Sequence, residues 1–159
     1  MSKKTAKKTL VEQILEKAGV AHEALILNAL NTSEELPEGI SRHTIYKTLA
    51  LVGDKTGPLV AMVPLTAHVS EKKLAAISGN KKVQMIPAKD LQKTTGYVHG
   101  ANNPVGIRQK HAFPIFIALS ALTETFFVCS AGEVGRSIRV NPQSLADFVG
   151  AEFRDIIDA

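Results

Sequence analysis

The stretch from His43 to Leu65, "HTIYKTLALVGDKTGPLVAMVPL", predicts a β-hairpin. Its first half is rich in β-branched and apolar residues and ends at Gly53, which is typical of a strand. "DKTGP" then supplies the residues of a turn, and "LVAMVPL" returns as the second strand. The hairpin is the first of several indications that this chain is built around a sheet.

Predicted strands outnumber predicted helices over the whole chain. The apolar spacing from Leu10 predicts a helix that ends at Gly19, and the chain closes with a predicted helix that is interrupted near Gly150. We therefore expect an α/β (α+β) fold: one domain over 1–159, with a mixed, mostly antiparallel, barrel-like sheet and helices packed outside it. Further strands are predicted in 20–30 (where a helix also fits), 81–86, 113–119, 124–132 and 135–142. Further helices are predicted in 70–79 and 87–95, and the closing helix takes 141–158.

Composition narrows the function classes. The 159 residues are 45% hydrophobic and 21% charged, and no apolar run is long enough to span a bilayer. The basic N-terminus leads into an amphipathic pattern rather than a signal peptide, so a cytoplasmic protein is expected. The net charge of +4 permits a nucleic-acid partner without requiring one.

Metal and redox chemistry are not indicated. The single cysteine, Cys129, cannot form an internal disulfide, and the five histidines are scattered without the spacing of metal ligands. Cys129 lies in an apolar run, where packing is a better interpretation than a nucleophile. No cofactor and no metal are expected.

A second stretch, "TGYVHGANNPVG" at 95–106, concentrates residues that bend the backbone. Successive N–H groups in a glycine-rich turn can hold an oxyanion or a phosphate. The alternative is a tight structural connection between a helix and a buried strand. The stretch matches neither the nucleotide-binding P-loop nor the dinucleotide fingerprint.

Lys47 is unusual because it lies inside an apolar strand. Alternation places it on one face with Ile45 and Leu49, where it could set a positive charge beside a substrate carbonyl or phosphate. The alternative is a lysine of an edge strand that points to solvent.

Other candidates are weaker. Arg108 and Lys110 belong to a basic run that could contact phosphates or form a solvated loop, and Ser130 could donate to a ligand or start a turn. His99 is the best histidine candidate because it adjoins the glycine-rich stretch. No G-x-S-x-G motif is present to support a Ser-His-Asp triad.

Three segments, in this order and spacing, resemble the YbaK family of aminoacyl-tRNA deacylases, also called the YbaK/prolyl-tRNA synthetase-associated domain. They are "IYKTL", "TGYVHGANNPVG" and "VCSAGEVG", and the resemblance covers most of the chain. It implies a mixed α/β fold and hydrolysis of the ester that joins a wrong amino acid to tRNA. The YbaK branch clears cysteine from proline tRNA, and its relatives clear alanine and other small residues.

The resemblance also implies site residues. Lys47 matches the essential lysine of the family, and Gly100 and Pro104 match the ends of its substrate-binding G-x-x-x-P loop. Ser130 matches a serine that lines the pocket. Lys47 and Gly100 are thus the expected catalytic positions, and the expected substrate-binding residues are Tyr46, Thr48, His99, Ala101, Asn102, Asn103, Pro104, Ser130 and Ser137.

The implied partner is the CCA end of an aminoacyl-tRNA, held through Arg108 and Lys110, and the family suggests a prolyl-tRNA synthetase partner. The oligomeric state is left open. In the cysteine-clearing branch the thiol of the substrate attacks its own ester, and a small pocket would exclude proline by clash.

The chain departs from the family pattern at Ala101 (usually Gly), Asn103 (usually Ser) and Ser137 (usually acidic). An aromatic residue expected near Leu27 is also missing. These changes bear on amino-acid preference, so a deacylase for another small residue, such as Ala-tRNA(Pro), is an alternative. Two further alternatives are a non-catalytic tRNA- or synthetase-binding module and a hydrolase of a different small ester.

Overall fold

The computed structural model describes residues 7–27 and 36–158. None of the helices in these two ranges has the length and apolar character needed to cross a membrane. The helices are α1 Leu10–Ala18, α2 Glu71–Ser78, α3 Ala88–Thr95, α4 Pro104–Lys110 and α5 Pro142–Val149. The strands are β1 His22–Ile26, β2 Tyr46–Gly53, β3 Gly57–Pro64, β4 Val83–Met85, β5 Ile115–Ala118, β6 Phe127–Glu133, β7 Arg136–Val140 and β8 Glu152–Arg154.

The strands form two sheets, with the orders β4-β2-β3-β5-β8 and β1-β7-β6. The predicted hairpin is confirmed: β2 and β3 are antiparallel, with Tyr46 opposite Pro64 and Gly53 opposite Gly57. Only β5 makes parallel pairs among the described strands, with β3 and with β8. The mixed, mostly antiparallel α/β fold is therefore confirmed, although the two sheets meet at an isolated Ile45–Val128 bridge instead of closing into one barrel.

Local capping explains the first helix. The side chain of Thr9 accepts from the N–H of Glu12, and the Glu12 carboxylate accepts from the N–H of Thr9, which is a complete capping box. Gly19 ends the helix in the left-handed conformation, at φ 77°. The predicted bounds of this helix are confirmed.

The prediction of a helix that continues beyond Gly150 is wrong. Helix α5 ends at Val149, and Gly150 has a φ of 73°. The chain then extends as β8 and pairs in parallel with β5, with Phe116 opposite Glu152. The left-handed glycine redirects the backbone to the open edge of β5, where strand pairing satisfies its polar groups.

The interpretation of the basic run as a loop is also wrong, because residues 104–110 form α4. The side chain of Asn103 accepts from the N–H of Gly106 at 2.6 Å, and Pro104 occupies the first turn. An asparagine cap followed by proline is a favourable helix start. The glycine-rich stretch thus ends as the beginning of a helix.

Tyr97 holds the glycine-rich stretch against α4. A methyl group at Gly106 would overlap the hydroxyl group and ring of Tyr97, so only glycine lets the two segments approach this closely. Since α4 is buried from Pro104 to Ile107, this contact positions the turn that precedes it.

We expect Gly106→Ala to lower the free energy of unfolding by about 1–3 kcal/mol, because the added methyl group overpacks a buried contact. Urea unfolding measures the change. The control is the same substitution in a Tyr97→Ala background, where the cost should shrink because the ring is gone. An equal cost in both backgrounds would contradict the proposed contact.

Candidate functional site

One cavity of about 300 Å³ lies between the start of β2, the β4–α3 connection and the glycine-rich turn. Its wall is mostly apolar, with a few polar groups, as is usual for small-molecule sites. The residues that line it are Tyr46, Lys47, Thr48, Leu49, Ala50, Leu65, Met85, Ile86, Ala88, Leu91, Gln92, Val98, His99, Gly100, Asn102 and Ser130.

The cavity exists because β4 covers only part of β2. Strand β4 pairs with Leu51–Gly53. The next residue, Ile86, makes the last hydrogen bond of this segment to β2: its N–H donates to the Ala50 carbonyl at 3.2 Å. Pro87 follows and is the residue that precedes the first residue of α3, Ala88. Because the chain becomes helical there, it cannot continue the ladder along the first half of β2.

The register of β2 and β3 shows which backbone groups of β2 point to the edge that β4 does not cover. The Leu65 N–H donates to the Ile45 carbonyl on the β3 side, whereas the Ala50 carbonyl accepts on the β4 side. Pairing groups alternate along an antiparallel strand, so the N–H and C=O of Thr48 point away from β3. β4 does not pair with Thr48. These groups therefore face the edge that borders the cavity.

Lys47 lies on this wall and is partly buried. Loss of solvent lowers the pKa of its amine, because burial disfavours the charged form. None of the described residues that line the cavity carries a carboxylate, and none of the described carboxylates forms an ion pair with Lys47. A ligand with a negative or developing negative charge would supply the missing partner.

The two-residue alternation predicted for β2 does not describe which of its residues line the cavity. All five consecutive residues from Tyr46 to Ala50 line the cavity, since it lies at the open edge of β2 rather than over one face. Ile45, predicted to share the face of Lys47, is instead buried in a small cluster with Leu27, Ile40 and Val128.

Gly100 forms the turn across the cavity from β2. Its φ of 91° lies in the left-handed region, which disfavours any other residue here. The next residue, Ala101, donates its N–H to the Val98 carbonyl at 2.9 Å, which closes the turn. His99 and Asn102 also line the cavity, so four residues of the predicted stretch border it.

Four predicted substrate-binding residues do not line the cavity: Ala101, Asn103, Pro104 and Ser137. Asn103 is fully buried and caps α4, and its Nδ2 donates to the Ala101 carbonyl at 3.0 Å. Serine is an equally good cap, so the departure at this position preserves the turn. The structure gives Asn103 a role in shaping the site rather than contacting a ligand.

Two other departures have local explanations. Ala101 has a negative φ, so a glycine is not required there. Ser137 is 1% exposed, and its hydroxyl donates to the Leu27 carbonyl at 2.6 Å, which ties β7 to the end of β1. Neither residue reaches the cavity wall.

The predicted tRNA contacts lie outside the cavity. Arg108 is partly buried; its Nε donates to the Val149 carbonyl at 2.6 Å and its Nη1 to the His111 carbonyl at 3.2 Å. These bonds join α4 to the end of α5, so much of the guanidinium has a structural role. Lys110 is exposed in the last turn of α4.

The remaining candidates, Tyr46, Ser130 and Cys129, differ in their burial and in the contacts of their polar groups. Tyr46 is buried against Phe127, and its hydroxyl shares a 2.6 Å hydrogen bond with Ser120. Ser130 lines the cavity, and its hydroxyl accepts from the Gly132 N–H at 3.1 Å. Cys129 is fully buried, and burial raises the pKa of its thiol to about 12, which fits packing and not nucleophilic chemistry.

Several lining residues were not identified from the sequence. All but Gln92 are apolar or small, and they come from segments that look like ordinary core or helix. The one local signal was the proline that follows "VQMI", which marks where β4 leaves the sheet. The residues concerned are Leu49, Ala50, Leu65, Met85, Ile86, Ala88, Leu91, Gln92 and Val98.

Comparison with known proteins identifies the family. A family model described as "Aminoacyl-tRNA editing domain" matches residues 28–148, which is most of the chain. The chain belongs to the aminoacyl-tRNA editing domain family. The YbaK-type resemblance of its three motifs is therefore confirmed.

One similar relative within this family comes from Enterococcus faecalis and is named "Putative Cys-tRNA(Pro)/Cys-tRNA(Cys) deacylase EbsC". It is 37% identical over 161 residues, and the alignment covers 97% of this chain and 96% of that protein.

Two solved structures share the editing-domain fold. A crystal structure of "a putative trans-editing enzyme for prolyl tRNA synthetase" has a TM-score of 0.78 at 20% identity, and the match covers 94% of this chain and 95% of that one. A hypothetical protein has a TM-score of 0.82, also at 20% identity, over 93% and 99% of the two chains. At this identity the likeness shows the fold alone.

We expect Lys47→Met to raise the free energy of unfolding at neutral pH. Because the pKa of Lys47 is lower in the folded chain, the unfolded chain holds the proton more tightly and the buried charge costs stability. This cost is fully present below the folded pKa and is lost as the pH rises through the ordinary lysine pKa. Urea unfolding at neutral and strongly alkaline pH checks whether the gain shrinks with rising pH.

The matched control is Lys81→Met, since Lys81 is exposed and does not line the cavity. A loss of stability in Lys47→Met at neutral pH would contradict the account of Lys47 as a desolvated cation with no ion-pair partner among the described residues.

Proposed function

We propose that this protein is a trans-editing aminoacyl-tRNA deacylase that hydrolyses Cys-tRNA(Pro). The observation that carries the proposal is the placement of Lys47 and Gly100 on the walls of one cavity. The family match and the name of the Enterococcus faecalis relative support this substrate class.

The cavity suits an ester that is already activated. Hydrolysis needs a held carbonyl, a stabilised oxyanion and a nucleophile. We assign Lys47 to the developing negative charge on the ester carbonyl oxygen, since it has no carboxylate partner among the described residues. The Gly100 turn positions the ester from the opposite side, with its backbone close to the ligand because no side chain intervenes.

The wall offers little that could act as a nucleophile. Cys129 is buried with a raised thiol pKa, and the Ser130 hydroxyl lies beside no histidine hydrogen-bond partner in the described residues. We therefore assign the attack to the thiol of the substrate. Its sulfur forms a bond to the ester carbon, the bond from that carbon to the ribose oxygen breaks, and that oxygen takes the thiol proton through water. The first products are uncharged tRNA and a cyclic thiolactone, and water then opens the thiolactone to cysteine, so that the net reaction is hydrolysis.

The protein offers few side chains that could contact the rest of the tRNA. Of the two predicted phosphate contacts, Lys110 is the better candidate, because the Arg108 guanidinium is engaged by two carbonyl groups. If the protein contacts only the CCA end, its affinity for tRNA should be modest and should fall with rising salt concentration. A prolyl-tRNA synthetase would then supply tRNA identity. Because charged tRNAs are used where translation occurs, this function places the protein in the cytoplasm.

We expect Lys47→Ala to lower the deacylation rate of Cys-tRNA(Pro) by at least about 100-fold, because a preorganised charge beside the oxyanion is lost. The rate of loss of labelled cysteine from tRNA measures this. Lys81→Ala is the matched control and should retain wild-type activity. Wild-type turnover by folded Lys47→Ala protein would contradict the assignment.

The same assay separates the competing functions. A binding module would retain tRNA binding without turnover in the wild type. A general esterase would hydrolyse cysteine methyl ester as efficiently as Cys-tRNA(Pro).

The thiol step predicts a second result. S-Methylcysteinyl-tRNA(Pro) should stay charged in the presence of the wild-type protein, because its sulfur cannot form the thiolactone. Rapid hydrolysis of this substrate, or of Ala-tRNA(Pro), would contradict the thiol step. It would favour the alanine-clearing alternative, in which water attacks and His99, on the cavity wall, is the available base.

A further inference from the structure

Phe126 is an exposed aromatic residue immediately before β6, and 46% of its surface is accessible. The Asn141 side chain donates to the Thr125 carbonyl at 2.9 Å, which fixes the backbone just before the ring. The next residue, Phe127, is buried in the core and lies opposite Val140. Since side chains alternate along a strand, Phe126 is held on the other, outer face of the sheet.

The guanidinium of Arg139 lies over the Phe126 ring, 5.3 Å from the ring centroid. Arg139 is opposite Val128 in β6 and opposite Glu23 in β1, and its Nε lies 3.6 Å from the Glu23 carboxylate. The carboxylate holds the guanidinium, and the guanidinium supports one face of the ring. An exposed apolar side chain needs no explanation by itself, but a ring that is held in this way is preorganised for a partner.

The ring lies on the same pair of segments as the cavity. Ile45 and Val128 form a parallel bridge, and two residues further along each segment are Lys47 and Ser130, which both line the cavity. Phe126 has the same parity as Ser130 on the strand and precedes it by four residues, which is about 13 Å. The ring and the cavity wall therefore share one face, at a separation that a few nucleotides can span.

A cation lies near the ring. The 3₁₀ helix Arg42–Thr44 approaches it through His43, whose Nε2 is 3.8 Å from the carboxylate of Glu124, two residues before Phe126. Arg42 is exposed and forms no ion pair with the described residues. A phosphate group would supply a partner for its guanidinium.

We propose that Phe126, with Arg139 behind it, is a stacking platform for an unpaired base of the tRNA 3′ end, and that Arg42 contacts a phosphate of the same strand. The proposal rests on the proposed function, which places the terminal adenosine and its ester at the cavity. The bases just upstream of that adenosine are unpaired, so they can turn outward and stack on an aromatic side chain.

An RNA strand suits this surface better than a protein partner. The centre of a protein interface is depleted of charged residues, whereas the ring contacts a guanidinium, and Glu23, His43 and Glu124 belong to the same surface. Every base has a flat π face that stacks on such a ring, whatever the sequence. The platform therefore adds affinity for the single strand without reading its bases.

Two substrates separate the platform from the cavity: Cys-tRNA(Pro), and 3′-cysteinyladenosine, which has the terminal nucleoside and no upstream base. We expect Phe126→Ala to raise KM for Cys-tRNA(Pro) by at least about fivefold with kcat unchanged, because one stacked base is lost. For 3′-cysteinyladenosine, kcat/KM should stay within about twofold of the wild-type value. Phe126→Trp should keep the wild-type KM for both substrates, since an indole also stacks on bases.

Leu10→Ala is the matched control, because Leu10 is an exposed apolar residue of α1 that does not line the cavity. It should behave as wild type with both substrates. Equal losses of Phe126→Ala on both substrates, or an unchanged KM for Cys-tRNA(Pro), would overturn the platform and leave the proposed function standing. A loss seen only in the presence of prolyl-tRNA synthetase would assign the ring to a protein partner and also overturn it.

Binding gives a readout that needs no turnover. The probe is an uncharged RNA hairpin of the proline acceptor stem, with and without its unpaired 3′ end. Phe126→Ala should weaken binding of the hairpin with the unpaired end by at least about fivefold and leave binding of the blunt hairpin unchanged. Arg42→Ala should reduce the slope of log Kd against log salt concentration by about one, whereas Phe126→Ala should not change it.

If wild-type protein leaves Cys-tRNA(Pro) charged, the proposed function fails, and this binding comparison alone decides the platform. A wild-type preference for the unpaired end that is lost in Phe126→Ala supports it. Equal affinity of the wild type for the two hairpins, or no binding of either, overturns it.

Discussion

The partial pairing of β2 is the constraint on which the site depends. β4 covers only the second half of this strand, and the chain then turns at Pro87 into α3. A fully paired β2 would bury its edge in the sheet and leave no cavity beside Lys47. The half of β2 that β4 leaves uncovered still pairs with β3, and it brings Lys47 and Thr48, whose hydroxyl has no hydrogen-bond partner among the described residues, to one wall. The candidate site therefore lies where β4 leaves β2 uncovered.

The opposite wall of the cavity is the Gly100 turn, which is held in place at both ends. Asn103 caps α4, and Tyr97 packs on Gly106, so the stretch that contains Gly100 is anchored at both ends. Both residues expected to depart from the family pattern, Ala101 and Asn103, are compatible with this turn. Asn103 supplies the cap of α4, and Ala101 has a backbone conformation that any residue can adopt.

Local chemistry made much of this structure predictable. The end of α1 at Gly19 and the β2–β3 hairpin are encoded by residues close in sequence, and both predictions were confirmed. The capping box at Thr9 is equally local, but it was found in the structure. The Asn103–Pro104 helix start was also encoded locally, but the surrounding glycines led to its interpretation as loop. β8 could not be predicted in this way, since its three residues become a strand only through pairing with β5. The apolar cavity walls likewise depend on tertiary packing, because Met85 and Leu91 resemble ordinary core residues.

The most direct test of the account is a crystal structure of the protein with 3′-cysteinylamino-3′-deoxyadenosine. The account predicts that the cysteinyl group occupies the cavity, with Lys47 Nζ at hydrogen-bond distance from its carbonyl oxygen and the Gly100 turn on the opposite side. A complex in which the aminoacyl group lies elsewhere, with the cavity between β2 and the Gly100 turn left empty, would contradict it.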